Sequence, residues 1–438
     1  MLKRKIQHTI NQYFLSNSNK ILIIDGARQI GKSFIIRHEG IQRYKNYIEI
    51  NFWEDKLRDR LFADARTTTD FYFRLSTIAG EKMGEKADTL VFLDEIQAYP
   101  HLLTLLKFLK QEDRFTYIAS GSQLGVTLKQ TESVPMGSID IVHMFPLDFE
   151  EFLWANGMGE LAIEMLRNKY SSLESLDDSM HRKMMDFFRK YLLVGGLPDA
   201  VNTYLEQQNI VAVRKVQNDI RLLYAVDASQ YDQERSLKIR RIYEMIPSCM
   251  GNKKKRVILK QIEDKKGKRS TDYAEEFDYL IHSGITLEAK AISNPVFPLI
   301  ESSEKNLLKL YLNDVGLLTE VLYKHNISAI MDEQKSVNLG SVYETVVASE
   351  LKAHGHKLYY YDNKQKGEVD FLMDNYDTIS IVPIEVKSGK DYTIHSALNQ
   401  FVKNEEYGVQ KAFVLSNAPK VSVKGKVIYI PVYYSMFL

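Results

Sequence analysis

The feature that most constrains this chain is a short apolar segment followed at once by a glycine-rich turn. Residues 21–25 read Ile-Leu-Ile-Ile-Asp, and residues 26–33 read Gly-Ala-Arg-Gln-Ile-Gly-Lys-Ser. Four consecutive aliphatic residues are typical of a buried parallel strand. The glycines let the backbone turn tightly and present its N–H groups, and the segment from Phe34 continues as a helix whose N-terminus attracts anions. The pattern predicts a strand, a phosphate-binding loop and a helix in direct succession.

The polar residues of this loop have expected contacts with a nucleotide. Lys32 reaches the β and γ phosphates, and Ser33 offers a hydroxyl to Mg²⁺. The chain contains no Asn-Lys-x-Asp motif, which reads guanine, so we expect ATP rather than GTP, with Mg²⁺ as the cofactor. The expected nucleotide-binding residues of the loop are Gly26, Ala27, Arg28, Gln29, Ile30, Gly31, Lys32 and Ser33.

A second apolar segment ends in two acids. It runs Thr-Leu-Val-Phe-Leu over 89–93 and delivers Asp94 and Glu95 to the edge of the predicted sheet. There Asp94 is expected to hold Mg²⁺ beside Ser33, and Glu95 to polarise the attacking water. The following strand ends in Ser120 and Ser122, whose hydroxyls are candidates for sensing the γ-phosphate or belong to an ordinary turn.

Length and composition favour a soluble protein of several domains. A chain of 438 residues suggests about three domains, and 45% hydrophobic with 26% charged residues is typical of globular proteins. The net charge of +1 excludes no class of partner. The single cysteine, Cys249, excludes an internal disulfide and a cysteine-based zinc site, which favours a cytoplasmic location. Without an apolar run of about 18 residues, no membrane role is expected.

The pattern along the chain predicts an α/β protein built from several parts. Apolar strands alternate with helical stretches through the first third, which favours a parallel sheet covered by helices. A helical lid or linker follows, and a strand pair at 285–292 and 307–313 then suggests the wing of a winged helix. The predicted domains are 1–145 for the P-loop sheet, 146–228 for the helical lid, 229–330 for the winged helix and 331–438 for a second α/β domain.

The C-terminal part carries a second group of chemically informative residues. Glu368-Val369-Asp370 and Glu385-Val386-Lys387 fit two strands of a hairpin, in which Asp370 lies opposite Glu385 and Lys387 shares its face. Two carboxylates and a lysine are what a Mg²⁺-dependent phosphodiesterase needs, and Glu344 on the preceding helix would complete the metal ligands. A cross-strand ion pair on a solvated face explains Glu385 and Lys387 equally well.

The chain resembles bacterial and archaeal AAA-type P-loop ATPases fused to a C-terminal domain of unknown function. Its last hundred residues also resemble the PD-(D/E)xK restriction-endonuclease-like superfamily, through Glu344, Asp370, Glu385 and Lys387. The resemblance implies an ATPase whose C-terminal site contains Mg²⁺-binding acids. The segments that carry the first resemblance are 26–33, 92–97, 119–122, 145–153, 195–198 and 310–318.

Two functional hypotheses follow from these patterns. In the first, a Mg²⁺-dependent ATPase acts on a DNA-binding winged helix and a nuclease-like domain. The basic stretch 253–269 would then contact DNA phosphates, although it is also consistent with a solvated loop. In the second, the chain is a nucleotide-dependent signalling switch whose C-terminal domain is an inactive binding or oligomerisation module for a protein partner or a second copy of the chain.

Overall fold

The structure is a computed structural model that divides into two compact units. Apart from the first two residues, the first unit comprises Lys3–Phe145 with His282–Gly284, and the second comprises Pro146–Ile281 and Ile285–Leu438. Among the residues it describes, no helix is long and apolar enough to cross a membrane. The described residues are 1–16, 18–125, 127, 137–230, 235–252, 255–257, 259–263, 269–324, 326–332, 339–389 and 392–438.

The first unit is built on a five-stranded parallel sheet. Its strand order is β2-β3-β4-β1-β5, so the strand before the glycine-rich turn lies inside the sheet, flanked by β4 and β5. The strands are β1 (Ile21–Asp25), β2 (Asn46–Asn51), β3 (Thr89–Asp94), β4 (Thr116–Gly121) and β5 (Ile139–His143), and the helices are α1 (Ile6–Leu15), α2 (Lys32–Arg43), α3 (Phe52–Leu57), α4 (Thr68–Ala79) and α5 (Pro100–Glu112).

The parallel sheet predicted from the sequence is confirmed. Every residue of β1 and β3 is buried, as expected for strands covered on both faces. The register aligns the carboxyl ends of the strands, because Asn51 pairs with Asp94 and Asp25 pairs with both Gly121 and His143. Polar residues that end different strands therefore meet at one edge, where ligands bind in open α/β sheets.

The second unit begins with a run of helices. Its longest helix, α10, carries Arg214 and Gln217, which are buried and donate to main-chain carbonyls, among them that of Leu193. These bonds join α10 to α8. The helices are α6 (Phe149–Ala155), α7 (Glu160–Ser171), α8 (Asp178–Val194), α9 (Pro198–Gln207), α10 (Ile210–Gln230), α11 (Ser236–Gly251), α12 (Lys260–Glu263), α13 (Ala274–His282), α14 (Val315–Tyr323), α15 (Ser328–Met331), α16 (Gly340–Ala353) and α17 (Ser396–Lys403).

Three of the segments that carry the family resemblance, which are far apart in sequence, meet around the turn between α8 and α9. The Gly196 amide donates to Asp314 Oδ2 over 2.6 Å, and its carbonyl accepts from the Leu147 amide over 2.7 Å. Burial raises the pKa of Asp314 to about 6, although N–H groups such as that of Gly196 oppose the shift. The Leu147 backbone lies so close to Gly196 that this position leaves no room for a side chain.

Substituting Gly196 with alanine is expected to destabilise the second unit by about 2–3 kcal/mol. A Cβ atom there would lie 2.0 Å from the Leu147 carbonyl oxygen, a backbone atom that cannot rotate away. Gly159→Ala is the control, because nothing lies within 4 Å of the Cβ built there. Thermal unfolding of both variants measures the difference, and equal midpoints for the two would contradict the expectation.

The remaining strands of the second unit form one eight-stranded mixed sheet, in the order β12-β13-β11-β10-β9-β8-β6-β7. Here β6 pairs in parallel with β8 and antiparallel with β7. The strand pair predicted as a wing therefore extends the C-terminal sheet, and the winged helix is not confirmed. The strands are β6 (Thr286–Ile292), β7 (Glu304–Leu312), β8 (Leu358–Asn363), β9 (Gly367–Asn375), β10 (Ser380–Val386), β11 (Ala412–Ser416), β12 (Ser422–Lys424) and β13 (Val427–Pro431).

Candidate functional site

The glycine-rich turn forms the predicted loop between β1 and α2. Gly31 caps α2 with φ 92° and Gly26 has φ 152°, values that favour glycine. A Cβ atom on Gly26 would also lie 2.3 Å from the Met144 carbonyl oxygen. From outside the loop, Arg4 donates to the carbonyl of Ile30 over 3.1 Å and to that of Phe145 over 2.7 Å. The sequence analysis missed Arg4 because 26 positions separate it from Ile30.

Lys32 lies inside this loop. Its Nζ donates to the carbonyls of Gly26 over 2.9 Å and Ala27 over 2.7 Å, and the residue is 5% exposed. Burial lowers the pKa of Lys32, while the carboxylates of Glu95, Asp25 and Asp94 oppose the shift. A phosphate entering the loop would offer the ammonium a charged acceptor in place of two neutral carbonyls.

Ser33 and Asp94 are in direct hydrogen-bond contact. Ser33 Oγ donates to Asp94 Oδ1 over 2.8 Å, and Asn51 Nδ2 donates to Asp94 Oδ2 over 3.1 Å. Ser120 also donates to Asp94 Oδ1. Burial raises the pKa of Asp94, and the hydrogen bonds from Ser120 and Ser33 oppose the shift. The sequence interpretation did not include Asn51. Its place at the end of β2, the strand beside β3, could have indicated a polar residue at the same edge of the sheet.

Glu95 is held in one orientation by its neighbours. It has φ 53°, a left-handed conformation that costs a non-glycine residue about 1 kcal/mol. Ser122 Oγ donates to Glu95 Oε2 over 2.9 Å, and Gln97 Nε2 donates to the same oxygen and to Ser122 Oγ, the latter over 3.0 Å. Ser120 and Ser122 thus contact the two acids directly, and Gln97 is a further positioning residue that the sequence analysis missed.

Arg28 turns toward an aromatic side chain. Its guanidinium carbon lies 5.2 Å from the centre of the Trp53 ring, within range of a cation–π contact. Trp53 is 37% exposed, so this pair sits at the surface beside the loop.

Replacing Asn51 with aspartate is expected to lower Mg²⁺-dependent turnover about tenfold. Aspartate keeps the cap on α3, where the Asn51 side chain accepts from the Glu54 amide over 2.9 Å, but it places a second carboxylate against Asp94. Asn46→Asp at the other end of β2 is the matched control, because the Asn46 side chain donates to the Thr89 hydroxyl and not to Asp94. Measuring turnover against Mg²⁺ concentration checks this, and equal effects of the two substitutions would contradict it.

The C-terminal acids also come together in the second unit. The β9–β10 register places Phe371 opposite Ile384, so Asp370 lies beside Glu385, and Asp370 Oδ2 accepts from the Val386 amide over 2.8 Å. Lys387 Nζ lies 2.7 Å from Glu385 Oε1. Glu385 is 7% exposed and the Lys387 side chain 30% exposed, so their ion pair is partly buried and does not lie on the solvated face of the alternative interpretation.

Electrostatics couple these acids. Burial and the Asp370 carboxylate raise the pKa of both Glu344 and Glu385, opposed by Lys255 at Glu344 and by Lys387 at Glu385. One oxygen of each glutamate, Oε2, is buried without a hydrogen-bond partner among the described residues. Burying a charge without a partner is costly, so two buried carboxylate oxygens that accept no hydrogen bond are suited to binding a cation.

A lysine from the basic stretch 253–269 also belongs to this cluster, although the sequence suggested that the stretch contacts DNA or solvent. Lys255 forms an ion pair with Glu344, and Arg256 pairs with Asp362 on β8. These two basic side chains are therefore held in ion pairs and do not extend into solvent as in a solvated loop. Residues 253, 254, 258 and 264–268 of the stretch lie outside the described part of the chain. Lys309, fully buried, pairs with Glu368 on β9.

Three family models match successive parts of the chain. Residues 18–153 match an AAA domain, residues 185–328 match a domain of unknown function, DUF8612, and residues 339–434 match another, DUF4143. No curated protein matches the chain. The matches show no nuclease family in the C-terminal part.

Several solved structures resemble this chain in fold, but only at low TM-scores. The Walker-type ATPase PABY2304 of Pyrococcus abyssi is 16% identical with a TM-score of 0.45, over 73% of this chain and 95% of that one. The Saccharomyces cerevisiae Hsp104–ADP complex is 12% identical with a TM-score of 0.29, over 81% and 44%. The Aeropyrum pernix Orc1 protein in complex with DNA is 12% identical with a TM-score of 0.28, over 76% and 91%. Values this low carry no functional conclusion, and the family match at 18–153 is what shows that this chain contains an AAA-type P-loop domain.

Proposed function

We propose that the first unit binds ATP with Mg²⁺ and hydrolyses it. The observation that carries this proposal is the 2.8 Å hydrogen bond between Ser33 Oγ and Asp94 Oδ1 at the end of the glycine-rich loop. A hydroxyl and a carboxylate are oxygen ligands of the kind that Mg²⁺ takes. These two residues would hold the ion, which when bound neutralises charge on the phosphates.

The other residues of the loop region would each have one role. Lys32 and the N–H groups of the loop would bind the phosphates, with α2 directing its N-terminus toward them. Glu95 would orient and deprotonate the attacking water. Ser120, Ser122, Asn51 and Gln97 would fix the two acids through the hydrogen bonds described above.

The test is phosphate release from ATP by the purified chain, measured with Mg²⁺ and again with excess EDTA. Turnover that requires Mg²⁺ supports the proposal. Tight ATP binding without release in either condition would overturn the hydrolytic part, and the absence of binding would overturn the whole proposal.

A second candidate function is phosphodiester cleavage in DNA by the C-terminal cluster. The proximity of Asp370, Glu385 and Lys387 favours it. So do the buried Oε2 atoms of Glu344 and Glu385, which have no hydrogen-bond partner among the described residues. The order of α16, β8, β9, β10, α17 and β11 is the αβββαβ order of the superfamily that this region resembles. The acids would hold the metal, and Lys255 would have to leave Glu344 to admit it.

Nicking of supercoiled DNA with Mg²⁺ or Mn²⁺ tests this second function. Asp370→Asn and Lys387→Ala are each expected to lower nicking at least about 100-fold. Asp377→Asn, in the exposed turn between β9 and β10, is the control that should leave nicking unchanged. Lys255→Gln should increase nicking, since it removes the cation paired with Glu344. DNA binding without cleavage in all variants would instead favour the nucleotide-dependent switch with an inactive C-terminal module.

A further inference from the structure

A second group of ligand-type side chains lies in the second unit, away from both sites above. Asp148, Glu350 and His354 each offer one atom, and these three atoms lie within 4.8 Å of one another. Within the described residues this is the one group of three or more His, Cys, Asp and Glu side chains that meets this distance. Asp148 and Glu350 are 5% and 0% exposed, and the His354 side chain is 16% exposed.

Each of the three side chains is oriented by a hydrogen bond to the main chain outside the group. Asp148 Oδ1 accepts from the Glu151 amide and Glu350 Oε1 accepts from the Phe149 amide, both over 2.8 Å. His354 Nδ1 lies 2.8 Å from the main-chain oxygen of Leu438. This oxygen only accepts, so Nδ1 carries the proton and Nε2 faces the carboxylates. Such outer hydrogen bonds are typical of side chains that ligate a metal.

Two of the three side chains also cap α6. The bonds to the Glu151 and Phe149 amides use one oxygen of each carboxylate and satisfy the first turn of the helix. The second oxygen of Asp148 lies 3.7 Å from His354 Nε2, which is too long for a hydrogen bond. Two ligands about 2.0–2.1 Å from one tetrahedral ion lie about 3.4 Å apart, close to this separation.

We propose that Asp148, Glu350 and His354 bind one divalent transition-metal ion, with Zn²⁺ as the best match. One imidazole and two carboxylates form a donor set that zinc accepts, and a water would complete four ligands. Glu350 and His354 lie one turn apart on α16 and its C-terminal end, and Asp148 precedes α6. The ion would therefore join α6 to α16, and its role is structural.

Metal content of the full-length, tag-free protein tests this proposal. We expect about one zinc per chain by mass spectrometry when the protein is made in zinc-supplemented medium. His354→Asn should lose it, since asparagine keeps a donor near the Nδ1 position but has no Nε2. Asp148→Asn should also lose it while preserving the cap, because asparagine caps helices as well as aspartate. His356→Asn, two residues from the site, is the matched control and should retain the zinc.

Thermal unfolding gives a readout that does not depend on catalysis. Zinc at about 100 times its dissociation constant should raise the unfolding midpoint of the wild-type second unit by about 5 °C and leave that of His354→Asn unchanged. Cobalt in place of zinc should show the visible absorption of a four-coordinate ion. A wild-type protein without zinc whose midpoint does not respond to added Zn²⁺ would overturn the proposal, as would equal zinc content in wild type, His354→Asn and Asp148→Asn. In that case the three side chains form an ion-paired helix cap only.

Discussion

Replacing Lys32 with alanine is expected to reduce kcat/KM for ATP about 100- to 1000-fold. The ammonium is buried, and the two groups to which it donates are the carbonyls of Gly26 and Ala27. A nucleotide would replace these neutral acceptors with charged phosphate oxygens, and the bond would strengthen as negative charge develops during transfer. Removal of Lys32 should therefore weaken nucleotide binding and slow hydrolysis together.

The control for this experiment is Lys20→Ala. Lys20 is exposed and directly precedes β1, so its loss removes the same charge from the same unit without touching the loop. Fluorescent-nucleotide binding and phosphate release should both remain at the wild-type value in Lys20→Ala. Wild-type turnover in Lys32→Ala, with an unchanged unfolding midpoint, would show that the loop is not the site of hydrolysis.

The site residues that could be predicted from the sequence are those that belong to short, recognisable segments. Ser33 follows β1 through the glycine-rich loop and Asp94 ends β3, and parallel strands bring their carboxyl ends to one edge. Although β4 lies between these two strands, the shared edge was enough to place the two residues near each other. The same reasoning placed Asp370 beside Glu385, because a hairpin fixes which residues face each other across two neighbouring strands.

The residues that were missed come from segments whose position depends on the whole fold. Lys255 pairs with Glu344 across 89 positions, and no local pattern indicates that a lysine in a basic stretch is paired with a buried acid. Arg4 reaches the loop carbonyls from the N-terminal side of α1 for the same reason. The winged helix is not confirmed for a similar reason, since two short strands look the same in sequence whether they pair alone or extend a larger sheet.

Changing Glu95 to glutamine is expected to separate binding of ATP from its hydrolysis. Both side-chain hydrogen bonds to Glu95, from Ser122 and Gln97, end on the same oxygen, Oε2. A glutamine can place its carbonyl oxygen there and keep both bonds, while its amide group replaces Oε1 and cannot accept a proton. We therefore expect kcat to fall about 100- to 1000-fold with the affinity for ATP unchanged.

Gln97→Ala is the variant that distinguishes chemistry from positioning at Glu95. It removes one of the two donors to Oε2 but leaves the carboxylate, so kcat should fall only about tenfold. Single-turnover phosphate release, compared with nucleotide affinity for wild type, Glu95→Gln and Gln97→Ala, measures both effects. If Glu95→Gln lost affinity in proportion to rate, Glu95 would act in nucleotide binding and the water would be activated by another group. If the two substitutions had equal effects on kcat, the hydrogen-bond network around Glu95, rather than its basicity, would limit hydrolysis.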